Sequence, residues 1–311
     1  VFDYYEIKRQ LGEEPFRYYF EIRSSSEVCY YNRCGVSERV VPDYDYVVCP
    51  GFCTPKWAKG AVMYQIFTDR FCNGDPDNDV EDREYYYIGD YSRKVTDWNR
   101  YPATMDVREF YGGDLKGVWD KLDYLQDLGV EVLYFNPIFV SPSNHKYDIQ
   151  DYDYIDPHYG VIVEDGGNVL AEGDYENVHA TKYQKRVTDK KNLEASNEFF
   201  VQFVEEVHRR GMKVILDGVF NHCGSFNKWL DRERIYEKQE GYAPGAYVSA
   251  DSPYRSYFRF FQEERERWPY NGSYDGWWGH DTLPKLNYED SPKLEAYIFE
   301  IAKKWVSPPY N

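Results

Sequence analysis

Three short stretches hold side chains whose types and spacing could do chemistry. "LDGVFNHCG" (216–224) ends an apolar run in Asp217, Asn221 and His222, a carboxylate, an amide and an imidazole. Gly218 between them removes a side chain where a ligand or a neighbouring backbone could come close. "HKYD" offers His145, Tyr147 and Asp148, a polar cluster around one phenol with a flat apolar face. "NGDPDND" supplies Asn73, Asp75, Asn78 and Asp79 within seven residues, a density of hard oxygen donors that suits Ca²⁺. Each has an ordinary alternative: a strand end running into a polar turn, a surface turn, and a solvated turn that lacks the full EF-hand pattern.

The elements that must position these groups can be read from apolar periodicity. "AVMYQIF" (61–67), "VEVLYFNPIF" (130–139) and "MKVILDGVF" (212–220) read as buried-type strands. Between them, "DLKGVWDKLDYLQDLG" places Leu115, Val118, Trp119, Leu122, Leu125 and Leu128 on one helical face, with Gly129 at the stop. "SNEFFVQFVEEVHRRG" (196–211) is a second amphipathic helix with basic residues in its last turn. A third opens at Ser291-Pro292, buries Leu294, Ile298, Ile301 and Trp305, and stops before Pro308-Pro309.

This alternation predicts an α/β fold with a parallel sheet. Long loops after the strand ends predict part of a (β/α)8 TIM barrel whose chemistry sits at the C-terminal face. Only the first three β/α units are present, and three strands cannot close a barrel. Val214 to Leu216 are expected to pack its interior, with Asp217, Asn221 and His222 emerging at the mouth. Residues 1–53, with "FRYYFEIR" and "EVCYYNRCG", read as part of an all-β sandwich. Residues 54–222 form the first part of the barrel, 223–290 an irregular aromatic-rich excursion after strand three, and 291–311 the third barrel helix.

Bulk composition narrows the ligand. The 311 residues carry a net charge of −17, so nucleic acid and anionic membranes would be repelled at long range. No run approaches the roughly 18 apolar residues of a membrane span. With 33 Tyr, 18 Phe and 8 Trp, the chain holds more phenol and indole than a core requires, which suits sugar rings or simply makes a tyrosine-rich surface. Cys29, Cys34, Cys49, Cys53, Cys72 and Cys223 show neither paired Cys-x-x-Cys spacing nor the density of a disulfide framework, so reduced thiols in a cytoplasmic protein are expected. The chain starts at Val1 inside a β domain, which implies a truncated N-terminus and leaves a signal peptide unreadable.

Five segments in order, "AVMYQIFTDRFCNGDPDNDV" (61–80), "FYGGDLKG" (110–117), "SPSNHKYDIQDYDYIDPHYG" (141–160), "LDGVFNHCG" and "WWGHDTLPKLN" (277–287), resemble the α-amylase superfamily of glycoside hydrolases. The nearest likeness is to the neopullulanase, cyclomaltodextrinase and maltogenic amylase group, and it runs from about residue 56 onward. The resemblance implies a substrate among maltooligosaccharides, cyclodextrins, pullulan and starch, and a homodimeric parent enzyme. It implies a Ca²⁺ ion held by Asn73, Asp75, Asn78, Asp79, Gly112 and Asp114. Tyr147 should stack on the sugar in the cleavage subsite beside His145, with Asp148 as support and His222 bonding hydroxyls of the same sugar. Asp217 should hold an arginine from the next strand, Asn221, counted with His145, Tyr147, Asp148 and His222 in the substrate-binding set, should brace the excursion, and Asn287 should brace the end of strand three.

Retaining glycoside cleavage needs two carboxyl groups about 5–5.5 Å apart, and no convincing pair is readable here. By resemblance, the nucleophile Asp, the acid Glu and a third Asp would all follow Asn311, so residues 1–311 alone are expected to lack hydrolase activity. The alternatives are a non-catalytic barrel of the same type, serving carbohydrate binding or subunit assembly, and a plain calcium-binding module. Residues 161–195 are longer than the usual link in this group and read equally as a lid, a specificity element or a wall of the site.

Overall fold

In the first of two units, Val1–Gly60, alternating residues make five short strands: β1 (Phe16–Tyr18), β2 (Phe20–Arg23), β3 (Val28–Asn32), β4 (Gly35–Ser37) and β5 (Tyr46–Val48). All pairings are antiparallel, β2-β3-β4 in one sheet and β1-β5 in another. The computed structural model describes residues 4–103, 106–261 and 273–311. The second unit is Ala61–Asn311, so the compact units divide a few residues beyond the change in sequence rhythm.

The second unit is organised around β6 (Met63–Ile66), which precedes three two-residue strands, β7 (Tyr86–Tyr87), β8 (Asp90–Tyr91) and β9 (Arg93–Lys94). Then come β10 (Glu109–Phe110), α1 (Leu115–Asp120), α2 (Leu122–Asp127), β11 (Val132–Phe135), β12 (Phe139–Val140) and β13 (Asp151–Ile155). The chain continues through α3 (Thr181–Thr188), α4 (Lys190–Arg209), β14 (Lys213–Leu216) and, after the excursion, α5 (Pro292–Trp305).

The central sheet is parallel in the order β14-β11-β6, with Val132 level with both Met63 and Lys213. β11 is the middle strand, and its Val132, Leu133 and Phe135 are fully buried. Leu115, Val118, Leu122 and Leu125 join Phe200, Phe203 and Val207 of α4 and Leu294, Ile298, Ile301 and Trp305 of α5 in one core. Placing helices against a parallel sheet in this way buries the sheet's apolar face. Among the described residues no helix is long and apolar enough to cross a membrane.

Three local expectations change. The first predicted helix is two helices, because the Lys121 N–H turns back to Val118 O (3.0 Å) and closes the chain in a tighter turn; Leu128 beyond the break is 54% exposed. The helix predicted from Ser196 starts at Lys190, where the Asp189 carboxylate caps it by accepting from Lys191 N (3.0 Å). Val214 to Leu216 are half-buried instead of packed in an interior, because β14 lies at the edge of this sheet.

Candidate functional site

Two segments 70 residues apart in sequence meet at the carboxyl end of the sheet. β12 and β13 pair antiparallel and carry the 141–150 loop between them. The "HKYD" stretch lies in this loop, and the Tyr147 hydroxyl donates to Asp217 Oδ2 just after β14 (2.7 Å). Burial and the neighbouring Asp217 carboxylate push the Tyr147 phenol well above its usual range, so it remains a proton donor. Asp217, expected to face an arginine, has this phenol as a hydrogen-bond partner, and the Tyr134 phenol also faces it.

His145 lies with its ring 5.9 Å from that of Tyr147, and its Nδ1 accepts from Tyr147 N (3.1 Å). Asp148 is wholly buried and accepts from the hydroxyls of Ser141 (2.7 Å) and Ser143. Burial opposes its ionisation, but His145 and the hydroxyl donors hold its carboxyl below the usual range. It is a fixed acceptor under the loop. A Cβ at Gly224 would lie 2.4 Å from Asp148 O, so only glycine lets the chain after His222 pass this close to the loop.

His222 is 7% exposed, and burial lowers its pKa, which favours the neutral ring. Its Nδ1 is 2.5 Å from Asn221 Nδ2 and its ring stacks on Trp277 at 6.0 Å and 26°. Nε2 is buried with no hydrogen-bond partner among the described residues. Unfilled buried polar atoms are uncommon and point to a missing ligand atom or water. Together the groups offer an aromatic face, a neutral imidazole and fixed carboxylates, the chemistry of sugar binding.

The "DTLPKLN" stretch braces the end of β14, but through its backbone. Cys223 N donates to Pro284 O (3.0 Å) and Leu286 N to Asn221 O (3.2 Å). The Asn287 side chain turns instead to Ser256 O (3.3 Å) within the excursion. Asn221 is itself exposed, with its carbonyl serving this brace.

The acidic loop gives a mixed donor set. Oδ1 of Asn73 and Oδ1 of Asn78 are buried with no donor, and Asp79 Oδ1 accepts from Asn73 Nδ2 (2.7 Å). A Cβ at Gly112, whose φ is 79°, would fall 2.3 Å from Asp79 Oδ1, so the "YGGD" backbone presses directly on this cluster. The partnerless amide oxygens of Asn73 and Asn78 are of the kind a calcium ion takes up, whereas both oxygens of Asp79 are already engaged and, among the described residues, no group of three or more His, Cys, Asp or Glu side chains is placed to hold a metal. Asp75 and Asp114 are occupied locally: Asp75 Oδ1 caps Asp77 N (3.2 Å), and Asp114 accepts from Gly74 N, Asp75 N, Gly117 N and Asn78 Nδ2 at 2.6–3.2 Å. Burial raises the Asp114 carboxyl to about 6 against those donors. Lys94 Nζ stands 2.6 Å from Asp79 Oδ2 and shares that carboxylate's charge.

Several buried groups near the site escaped the sequence reading. Lys146, between His145 and Tyr147, is 1% exposed and pairs with Asp156 (2.7 Å). His158 bridges Asp156 and Glu84, and Tyr152 Oη lies 2.9 Å from the carbonyls of both Val219 and His222. All sit within or beside the strings quoted above, but a charge in a polar string carries no local sign of burial.

Comparison with known proteins follows the same regions. The model of "Alpha amylase, catalytic domain" matches residues 65–172 and 195–309, passing over 173–194. The chain is 34% identical to neopullulanase 2 of Thermoactinomyces vulgaris, over 98% of this chain and 43% of that protein. It is 33% identical to an amylopullulanase of Thermoanaerobacter thermohydrosulfuricus, over 99% of this chain and 20% of that protein. Among solved structures, the type III pullulan hydrolase from Thermococcus kodakarensis superimposes with a TM-score of 0.59 at 27% identity, covering 94% of this chain and 43% of that one. A cyclic α-maltosyl-(1→6)-maltose hydrolase from Arthrobacter globiformis, solved with that cyclic sugar, gives 0.53 at 28% identity, covering 81% and 42%. The chain thus spans less than half of each of these relatives.

Proposed function

The chain belongs to the α-amylase catalytic-domain family, and from that premise we propose that it supplies the supporting side of a retaining α-1,4-glucan hydrolase. The observation that carries this reading is the meeting of Tyr147 with Asp217, beside His145 and the open Nε2 of His222. Tyr147 stacks on the sugar ring, His145 and His222 bond its hydroxyls, and Asp148 and Asp217 hold those groups in place. The three parallel β/α units are part of a (β/α)8 barrel. The substrates are maltooligosaccharides, cyclodextrins, pullulan or starch, pullulan being the compound named for one relative, and the whole protein is a cytoplasmic homodimer.

The reacting carboxyl pair comes from outside these groups, since a retaining reaction needs two carboxyls about 5–5.5 Å apart on either side of the bond. The test is calorimetric titration of residues 1–311 with maltotetraose and β-cyclodextrin, alongside an assay for released reducing ends. The expected result is binding that weakens at least about tenfold in Tyr147→Ala, an anchor-type loss of about 1.4 kcal/mol or more, with no hydrolysis. Hydrolysis at an ordinary rate by residues 1–311 would overturn the division of labour. No affinity for any α-glucan, in a folded chain, would overturn the reading itself. Binding together with a whole protein that never cleaves would mark a carbohydrate-binding barrel.

Calcium belongs to the proposal as a structural ion held by the free amide oxygens of Asn73 and Asn78, with Gly112 beside them and Asp75, Asp79 and Asp114 completing the set only by exchanging their present partners for the ion. Bound there, it would tie the 73–79 loop to the start of α1 and supply no reacting atom. Chelator-treated protein should melt roughly 5–10 °C lower than protein at a hundredfold excess of Ca²⁺ over Kd, matching about 2.7 kcal/mol of linkage. Asp79→Ala should erase the difference; identical melting with and without Ca²⁺ in the unmutated chain would remove the ion.

A further inference from the structure

The residues passed over by the family match, 173–194, include α3. Its Arg186 is 2% exposed and points inward, donating to Asp79 O (2.9 Å), Glu84 (2.9 Å) and Asp165 (2.9 Å). Its Tyr183 stacks on the ring of His158 at 6.1 Å and 16°. From Arg186 a line of charges runs through the interior. Arg186 meets Glu84, Glu84 meets His158 (2.8 Å), His158 meets Asp156 (2.8 Å) and Asp156 meets Lys146 (2.7 Å). The side chains in this line are at most 3% exposed. The signs alternate: the pKa of His158 is raised, since Glu84 and Asp156 outweigh the burial that opposes its charge.

Such a line is costly to desolvate, and well-packed apolar groups of similar volume are often as stable or more so. Its far end shows what it holds. Lys146 has φ 61°, a left-handed backbone that a non-glycine residue keeps only where its surroundings impose it. The imposing contacts are Lys146 Nζ to Ser141 O (2.8 Å) and Asp156, and Lys146 N to Ser143 Oγ (3.0 Å). The next residue is Tyr147, aimed at Asp217.

We propose that Arg186 is a positioning residue for the sugar site, acting on Tyr147 through Glu84, His158, Asp156 and Lys146. Through the buried face of α3, the segment 173–194 thus acts as a brace whose purpose is the orientation of Tyr147. The proposal rests on the sugar-site reading for its meaning, and its test needs no sugar. 3-Fluorotyrosine placed at position 147 of residues 1–311 is read by ¹⁹F NMR in the unmutated chain and in Arg186→Met, His158→Gln and Asp165→Asn.

One narrow resonance is expected in the unmutated chain, with a shift larger than the linewidth, or splitting, in both Arg186→Met and His158→Gln. Arg186→Lys, which keeps the charge, should stay nearer the unmutated position. Asp165→Asn removes a contact of Arg186 that lies off the line, so it should lower the melting temperature and leave the resonance in place. An unmoved resonance in folded Arg186→Met, or an equal change in Asp165→Asn, overturns the proposal. If Arg186→Met does not fold, His158→Gln decides by the same criterion. Failure to bind any glucan would undo the function proposed for the site and leave this result standing.

Discussion

Replacing Lys146 by Met should lower the stability of the second unit by about 3–5 kcal/mol, the range for removing one partner of a buried ion pair. Lys146 and Asp156 are 1% and 0% exposed, so Asp156 cannot recover its solvation when the ammonium is lost. The left-handed backbone at position 146 would also lose the Ser141 O and Asp156 contacts that impose it. The loss should depend on pH in a definite direction. Burial opposes the charge of Asp156, but Lys146 and His158 outweigh it and hold the carboxyl well below its usual range. A carboxyl depressed in the folded state contributes stability above the unfolded value, near 4, and loses it as pH falls through the folded value. The deficit of Lys146→Met should therefore be full at pH 6–7 and shrink below about pH 4. Urea denaturation across that range measures it; a deficit under about 1 kcal/mol at neutral pH, the level of an exposed pair, would show that the pair is not closed off from water.

Asp114→Ala should be of similar size, for a different reason. The Asp114 carboxylate is fully buried and accepts from three backbone N–H groups, of Gly74, Asp75 and Gly117, and from the Asn78 amide. Truncation removes the N-cap of α1 and leaves these donors unpaired, at about 1–3 kcal/mol for each that water cannot reach. A total near 4 kcal/mol is expected, or roughly 8–16 °C in Tm for a unit of this size. Asp114→Asn should recover part of this, since its amide oxygen can still accept from the helix start. The comparison is best made in chelator, so that the capping role is measured apart from any bound ion. Equal stability of Asp114→Ala and the unmutated chain would mean that water replaces the carboxylate.

Much of the frame was legible because it is local. An apolar run such as Val132–Phe135 reads as a strand, and Leu294, Ile298, Ile301 and Trp305 recur at the helical spacing that buries all four in α5. Caps written in one or two residues, such as Ser291 before Pro292, were legible for the same reason. The break at Lys121 and the start of α4 at Lys190 were not, since a continuous apolar face hides a tightened turn and a polar "TDKKN" looks like loop. In the site, Asp217, His222, His145, Tyr147 and Asp148 stood out by type and motif. That Tyr147 donates to Asp217, or that Asn287 faces Ser256, could not be read, because both depend on segments remote in sequence.

By itself, then, the sequence determined the parallel β/α order, the presence of the aromatic and imidazole groups of the proposed sugar site and the loop rich in oxygen donors. These follow from residue type and short-range period. Only the tertiary structure decided which of those groups meet, which oxygens stay free and which charges are buried. Glu84, His158, Asp156 and Lys146 are ordinary polar letters along the chain; folded together, opposite signs stand within 3 Å of one another. Their effect comes from exclusion of water, which no local pattern records.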